Sequence, residues 1–142
     1  MFENTVYPGI SATLDTLQSA GHPLWVATSK PRVFADRIID HFALRPYFRR
    51  VYGSELDGTR SAKADLLGYL LQHESLDPAY TVMIGDREHD IVGARTAGIA
   101  AIGVTWGYGS RAELLAASPA TVIDQPLELM AAVRGMQRTG AR

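Results

Sequence analysis

Short apolar runs alternate along this chain with segments whose apolar residues return every three or four positions. The longer period puts apolar side chains on one stripe of a helix; the short runs mark strands buried by their neighbours. "GISATLDTLQSAG" predicts a helix with Ile10, Leu14 and Leu17 on its apolar face, closed by Gly21. "PLWVATS" predicts a strand apolar enough to be buried on both faces. "RVFADRIIDHF" follows as a helix with Val33, Ile38 and Phe42 among its apolar positions, and "RRVYG" as a weaker strand. "SAKADLLGYLLQH" is an amphipathic helix, "YTVMIGD" the strongest strand, and "EHDIVGARTAG" a helix ending at Gly98. "IAAIGV", "SRAELLAAS", "ATVID" and "PLELMAAVRGMQ" complete the chain as strand, helix, strand and helix. This alternation predicts an α/β fold: a Rossmann-like, doubly wound, mostly parallel sheet with helices on both faces. In such a sheet, ligands bind beyond the carboxyl ends of the strands, so those ends are where chemistry is sought.

Composition narrows the picture without changing it. The 142 residues, 46% hydrophobic and 20% charged, fit one domain with a packed core, spanning 1–142. A formal net charge of -1 gives no electrostatic reason to expect nucleic acid or an acidic membrane as partner. The chain has no cysteine, which excludes disulfides, thiolate zinc sites and thiol catalysis and agrees with a reducing compartment. No signal-peptide pattern opens it and no apolar run is long enough to cross a bilayer, so a cytoplasmic location is expected. Of the 14 basic residues only Lys30 and Lys63 are lysines, and each stands beside a predicted helix start.

Three strand ends carry candidate chemistry. "LWVA" ends in Thr28-Ser29, ahead of Lys30-Pro31 and a helix. A hydroxyl and free backbone N–H groups there suit an anion, although a capping Ser or Thr is the commoner role. "TVMI" ends in Gly85-Asp86, and Asp90 lies four residues on, on the same side of a helix starting near Arg87. Two carboxylates at the mouth of a parallel sheet call for a cation, with magnesium the natural choice; the bland alternative has Asp86 as N-cap and Asp90 in a favourable first turn. Lys63, near the start of its helix, either reaches across the mouth as a point charge or is an ordinary surface lysine. Donors for phosphate oxygens, a cation and a metal site are the parts that phosphoryl transfer needs, and here they occupy successive strand ends.

With "VYPGI", "VATSKP", "YFRRVYGSELDGTRSAK", "VMIGDREHDIVGA" and "GVTWGYGS", the chain resembles the haloacid dehalogenase superfamily of phosphohydrolases over nearly its whole length. Within it, the likeness is to the phosphoglycolate phosphatase-type branch. The resemblance implies that Thr28 is the phosphate-binding hydroxyl, with Ser29 beside it, and that Lys63 orients and charge-balances nucleophile and phosphate. It implies that Asp86 is the direct magnesium ligand and that Asp90 supports the metal shell. The substrate class it implies is a small phosphorylated metabolite, hydrolysed through an aspartyl-phosphate.

The same resemblance calls for an apolar strand followed by Asp-x-Asp-Gly-Thr, which these 142 residues do not contain. "SELDGTR" is an imperfect imitation. It would put Glu55 at the attacking position, and Gly53 and Ser54 ahead of it break any strong buried strand. "TVIDQP" offers Asp124 but no second acid, Gly or Thr. The expectation is therefore an incomplete core, lacking its first strand and the family's cap, that binds magnesium weakly and is inactive as this chain. A truncated chain, a split gene or a misassigned start would each account for it. By analogy the missing strand belongs between "LWVA" and "TVMI". The expected outcomes are a sheet that closes up by about one 4.8 Å strand spacing on each side, a homo-oligomer joined through exposed sheet edges, or a chain that is part of a functional protein. The alternative is a non-catalytic phosphate- or metal-binding module or an interaction module. A two-component receiver is disfavoured because its acids precede its lysine along the chain. The roles of Arg87, of His89 and of "WGYGS" at 106–110 stay open.

Overall fold

The structure, a computed structural model, describes residues 9–55 and 62–139. Asp57, Gly58 and Thr59 of the imitation loop lie outside the described residues. The elements run α1 (Ile10–Ser19), β1 (Trp25–Pro31), α2 (Arg32–His41), β2 (Arg50–Ser54), α3 (Lys63–His73), β3 (Val82–Gly85), α4 (Glu88–Thr96), β4 (Ala100–Val104), α5 (Arg111–Ala116), β5 (Thr121–Ile123) and α6 (Leu129–Thr139). Short 3₁₀ turns at Arg45–Tyr47, Pro78–Tyr80 and Pro126–Glu128 join some of them.

All strand pairs are parallel, but they form two sheets. β1 pairs with β2, aligning Val26 with Val51 and Ala27 with Tyr52. β3, β4 and β5 form the second sheet, with Ile84 opposite Ile102 and Gly103 opposite Val122. Among the described residues no ladder joins β1 to β3. The sheet is thus interrupted at the place where a strand was expected to be missing, and the gap has not closed by pairing.

The strands' period of two divides the core between two helical layers. On one face Ala101 of β4 packs with Leu67 and Leu71 of α3, Ile91 and Ala94 of α4 and Leu114 of α5. On the other, Ile102 and Val104 pack with Leu17 of α1, Ile123 and Leu129. The smaller sheet behaves alike: Val26 and Val51 face Ala35 and Ile39 of α2, while Trp25, Ala27 and Tyr52 face Leu66 and Leu70 of α3. Helices cover both faces of parallel sheets, as the sequence pattern predicted.

Several local expectations are corrected. β1 was expected to be buried on both faces, yet all its residues are half-buried or exposed, because one edge looks onto the gap. β2, the weaker strand in the pattern, is buried from Val51 to Ser54. Gly53 and Ser54 do not break it. Gly53 is needed for space: a Cβ there would sit 2.7 Å from the Arg32 Cα and 2.8 Å from the Lys30 carbonyl oxygen. The inward face of α2 is Ala35 and Ile39, leaving Val33 exposed. β1 extends through Pro31, so α2 begins at Arg32, and neither Thr28 nor Ser29 caps it.

Candidate active site

The predicted site residues lie along the second half of β1 and beyond β3, on either side of the gap, with Lys63 and Asp90 in direct contact between them. Lys63 is the first residue of α3 and is buried. Its Nζ donates to the Ala27 carbonyl oxygen at 2.9 Å and lies 2.8 Å from Asp90 Oδ1. Ala27 immediately precedes Thr28, and Asp90 sits on α4 behind β3, so one lysine bridges the two half-sheets. The side chains of Lys63 and Asp90 are only 5% and 7% exposed, which makes this a buried ion pair rather than a surface one. Gly93, one turn along α4 from Asp90, makes room for the lysine stem. A Cβ there would lie 2.6 Å from the Lys63 Cγ and 2.8 Å from its Cβ.

Asp90 also organises the start of α4. Its Oδ2 accepts the backbone N–H groups of Asp86 and Arg87, both at 3.2 Å. The helix begins at Glu88, next to Arg87 as expected, with Arg87 rather than Asp86 at the N-cap position. Capping falls to Asp90, reaching back from the first turn to donors the helix leaves without internal partners. Gly85 permits the approach, since a Cβ there would come within 2.3 Å of the Asp90 Cβ.

Asp86 is held from another direction. Its Oδ2 accepts the Tyr108 N–H at 2.9 Å, and its backbone oxygen accepts the Gly109 N–H at 3.0 Å. Both donors belong to the "WGYGS" loop that follows β4. Beyond this loop Ser110 caps α5 by accepting the Glu113 N–H at 3.0 Å. The Glu113 carboxylate turns to α4, where Oε2 accepts the Arg87 Nε–H at 2.9 Å and the Glu88 N–H at 2.8 Å. The Arg87 hydrogen bond, then the Glu88 N–H, hold the Glu113 carboxyl below its ordinary range. This settles the partner of Arg87 as a neighbouring acid. The sequence carried a partial signal for Glu113, because Ser110-x-x-Glu113 has the capping-box spacing. It carried none for Tyr108, which acts through its backbone.

Thr28 and Ser29 are half-buried within β1, which continues to Pro31. Thr28 Oγ1 accepts the Lys30 N–H at 3.2 Å, closing a local turn. The His89 side chain is 54% exposed, with Nε2 3.7 Å from Asp90 Oδ1. Trp106 packs into the core beside Val104, while the Tyr108 side chain is largely exposed. Asp124, the second imitation of a nucleophile, is occupied by Thr105 Oγ1 at 2.8 Å and Arg111 Nη1 at 2.7 Å. Neither a cavity of ≈ 290 Å³ bordered by Arg95, Gly98 and Ser118 nor one of ≈ 120 Å³ between Pro31–Val33 and Ser54–Glu55 is lined by Thr28, Lys63, Asp86 or Asp90.

Residues 2–104 match the family described as haloacid dehalogenase-like hydrolase. The chain belongs to this family. It is 50% identical over 119 residues to a 5'-nucleotidase of Pseudomonas aeruginosa, covering 84% of this chain and 54% of that protein. It is 30% identical over 128 residues to a phosphoglycolate phosphatase of Vibrio parahaemolyticus, covering 90% of this chain and 56% of the other. Among solved structures, a predicted phosphatase from Clostridium acetobutylicum superposes with a TM-score of 0.90 at 42% identity, over 94% of this chain and 62% of that one. The family member described here therefore spans about half the length of these curated relatives. No helix among its described residues is long and apolar enough to cross a membrane.

The donor chemistry can be set against a magnesium ion, which the resemblance implies. Both Asp90 oxygens are engaged, one by the lysine and the other by two backbone N–H groups, so Asp90 acts by orienting its neighbours. Asp86 uses Oδ2 for Tyr108, and Oδ1 is not part of that bond. No group of three or more His, Cys, Asp or Glu that could hold a metal occurs among the described residues. One carboxylate suits magnesium only in the mode where waters and substrate phosphate complete the shell. Asp86 fits as that single attachment.

Proposed function

We propose that this chain carries the phosphate- and cation-handling part of a magnesium-dependent phosphomonoesterase. The reaction proceeds through an aspartyl-phosphate on a small phosphorylated metabolite, and the chain does not turn over by itself. The observation that carries this reading is the buried Lys63–Asp90 pair, whose lysine reaches the backbone next to Thr28 while its aspartate orders the backbone of Asp86.

In this reading the Thr28 hydroxyl and the N–H groups beside it donate to non-bridging phosphate oxygens. Lys63 places a positive charge between the two half-sites, where negative charge accumulates as the phosphorus–oxygen bond to the leaving group breaks. Asp90 keeps that ammonium in place and keeps the Asp86 backbone in line. Asp86 offers a carboxylate oxygen to the cation. Magnesium, when bound, supplies charge neutralisation of the phosphoryl oxygens. The attacking carboxylate is not among these residues, since no segment of the 142 has an apolar strand followed by Asp-x-Asp-Gly-Thr.

The test is hydrolysis of p-nitrophenyl phosphate with magnesium, alongside amide NMR during titration with inorganic phosphate and magnesium. The expected result is a rate equal to that of an Asp86→Ala variant, with phosphate-dependent shifts at Thr28, Ser29 and Asp86. Turnover clearly above the Asp86→Ala control refutes the missing-nucleophile account. Absence of shifts at those three amides refutes the phosphate-handling one and favours an interaction module built on the same fold.

A further inference from the structure

We infer that the Trp106–Ser110 loop is a positioning clamp that fixes the Asp86 carboxylate in a one-oxygen presentation, with Gly107 and Gly109 required by the closeness of the clamp. This rests on the reading of Asp86 as the cation-holding carboxylate.

Two adjacent amides of the loop grip Asp86 at two points. The Tyr108 N–H takes side-chain Oδ2 and the Gly109 N–H takes the backbone oxygen. A backbone carbonyl and a carboxylate oxygen of one residue, both held by consecutive amides, leave little freedom about the bonds between them. The orientation of the carboxylate is then set by the loop and not by solvent. The Tyr108 N–H takes one of the two lone pairs on Oδ2 and so competes with two-oxygen binding of a cation, whereas Oδ1 is not part of that bond.

The glycines show how near the loop comes. A Cβ at Gly107 would lie 2.2 Å from Asp86 Oδ2 and 2.4 Å from the Asp86 Cβ. A Cβ at Gly109 would lie 2.2 Å from the Asp86 backbone oxygen and 3.2 Å from Glu113 Oε2. Among the described residues the positive-φ glycines are Gly9, Gly21 and Gly98, so Gly107 and Gly109 serve close approach and not left-handed backbone. Any side chain at either site forces Asp86 or the loop to move. Glu113 holds the far side by tying Arg87 and the Glu88 N–H to α5, so the segment from Asp86 to Glu88 is fastened to the stretch from Tyr108 to Glu113. Trp106, packed among Val104 and Ile123, anchors the base of the loop.

The test has a metal arm and a metal-free arm on the intact chain. Manganese(II) is titrated and read by electron paramagnetic resonance for the parent, Gly107→Ala and Gly68→Ala. Gly68 lies on α3 with nothing within 4 Å of an added Cβ, so it controls for a generic glycine-to-alanine change. The expected result is at least a tenfold loss of manganese affinity in Gly107→Ala and none in Gly68→Ala. The metal-free arm follows amide hydrogen exchange in Asp86→Ala. Tyr108, which loses its side-chain acceptor, should exchange at least tenfold faster. Gly109, bonded to the retained backbone oxygen, should stay within about threefold. A folded Gly107→Ala chain that binds manganese like the parent overturns the clamp, as does a Tyr108 amide indifferent to Asp86→Ala. Failure of the parent to bind manganese at all counts against Asp86 as a cation ligand, and the exchange arm still decides whether the clamp exists.

Discussion

Replacing Lys63 by methionine isolates the buried ion pair from the packing around it. Methionine keeps an unbranched stem of similar length, so the contact with Gly93 survives while the ammonium is lost. What remains is a carboxylate on Asp90 that is 7% exposed and, among the described residues, has no lysine or arginine within ion-pair distance. Breaking one partner of a buried pair costs about 3–5 kcal/mol. The two backbone N–H groups on Oδ2 persist and pull the cost toward the lower end. The Ala27 carbonyl loses its lysine donor, which adds about 1 kcal/mol. The expected destabilisation is therefore about 3–4 kcal/mol, a large share of the roughly 5–15 kcal/mol that holds a domain folded. Urea denaturation measures it as a midpoint lowered by about 1.5–2 M at a slope near 2 kcal/mol per M. The double variant Lys63→Met/Asp90→Asn removes the stranded charge and keeps an oxygen for the backbone N–H groups. It should regain about 2 kcal/mol relative to Lys63→Met alone. A single variant within 1 kcal/mol of the parent at unchanged slope, or a double variant no better than the single, refutes the idea that this pair is a desolvated bridge between the half-sheets.

Gly68→Ala on α3 should stabilise the chain by about 0.5–1 kcal/mol, because the position is helical, exposed and empty around the new methyl; thermal unfolding measures it. Glu74 should govern part of the acid side of the stability curve. The Tyr52 hydrogen bond at 2.5 Å, then the Arg50 guanidinium at 3.1 Å, hold its carboxyl below the ordinary range against the opposing effect of burial, and His73 faces it at 3.7 Å. A lowered carboxyl contributes stability that is complete above the unfolded value of about 4.3 and is lost as pH falls through the folded value. The melting-temperature gap between parent and Glu74→Gln should therefore be widest near neutrality and shrink below pH about 4. A gap that is constant from neutral to acid pH contradicts this.

The layered α/β arrangement was legible because each helix and strand announces itself by its own period, and parallel strands alternate with helices. Even the break between β1 and β3 was legible, since it follows from which strand the chain does not contain. Burial along β1 was misjudged because composition reports what a strand would bury if it had two neighbours. Gly53 was misread for a related reason. Its conformational cost is visible in sequence, whereas the backbone of Arg32 pressing against it is not. At the site, Lys63 and Asp90 are in contact and Asp90 accepts the Asp86 N–H, so the three residues named from the sequence are linked, but that both Asp90 oxygens are taken by Lys63 and backbone N–H groups was not legible. Which carboxylate is consumed by donors depends on which backbone N–H groups the folded start of α4 turns toward it, and sequence spacing does not record that. The loop at 106–110 exerts its effect through amides, and no side-chain identity records that.

The placement of these residues has a common physical origin. A parallel sheet ordinarily holds its strands in register by a continuous ladder, and here the ladder stops between β1 and β3. Among the described residues the two halves share side-chain packing and a charged bridge: Ala27 and Met83 both pack against the cluster around α3 and α4, Leu24, Val82 and Ile84 all pack against the cluster on the opposite face, and Lys63 spans from Ala27 to Asp90. Dispersion contacts set the separation of the halves only loosely, whereas a lysine with fixed partners on both sides defines the register of one strand end relative to the other. The residue with the chemistry for a phosphate is therefore also the one that aligns its two half-sites. A substitution at Lys63 should disturb ligand binding at Thr28 and backbone order at Asp86 together, where a purely electrostatic role would affect binding alone.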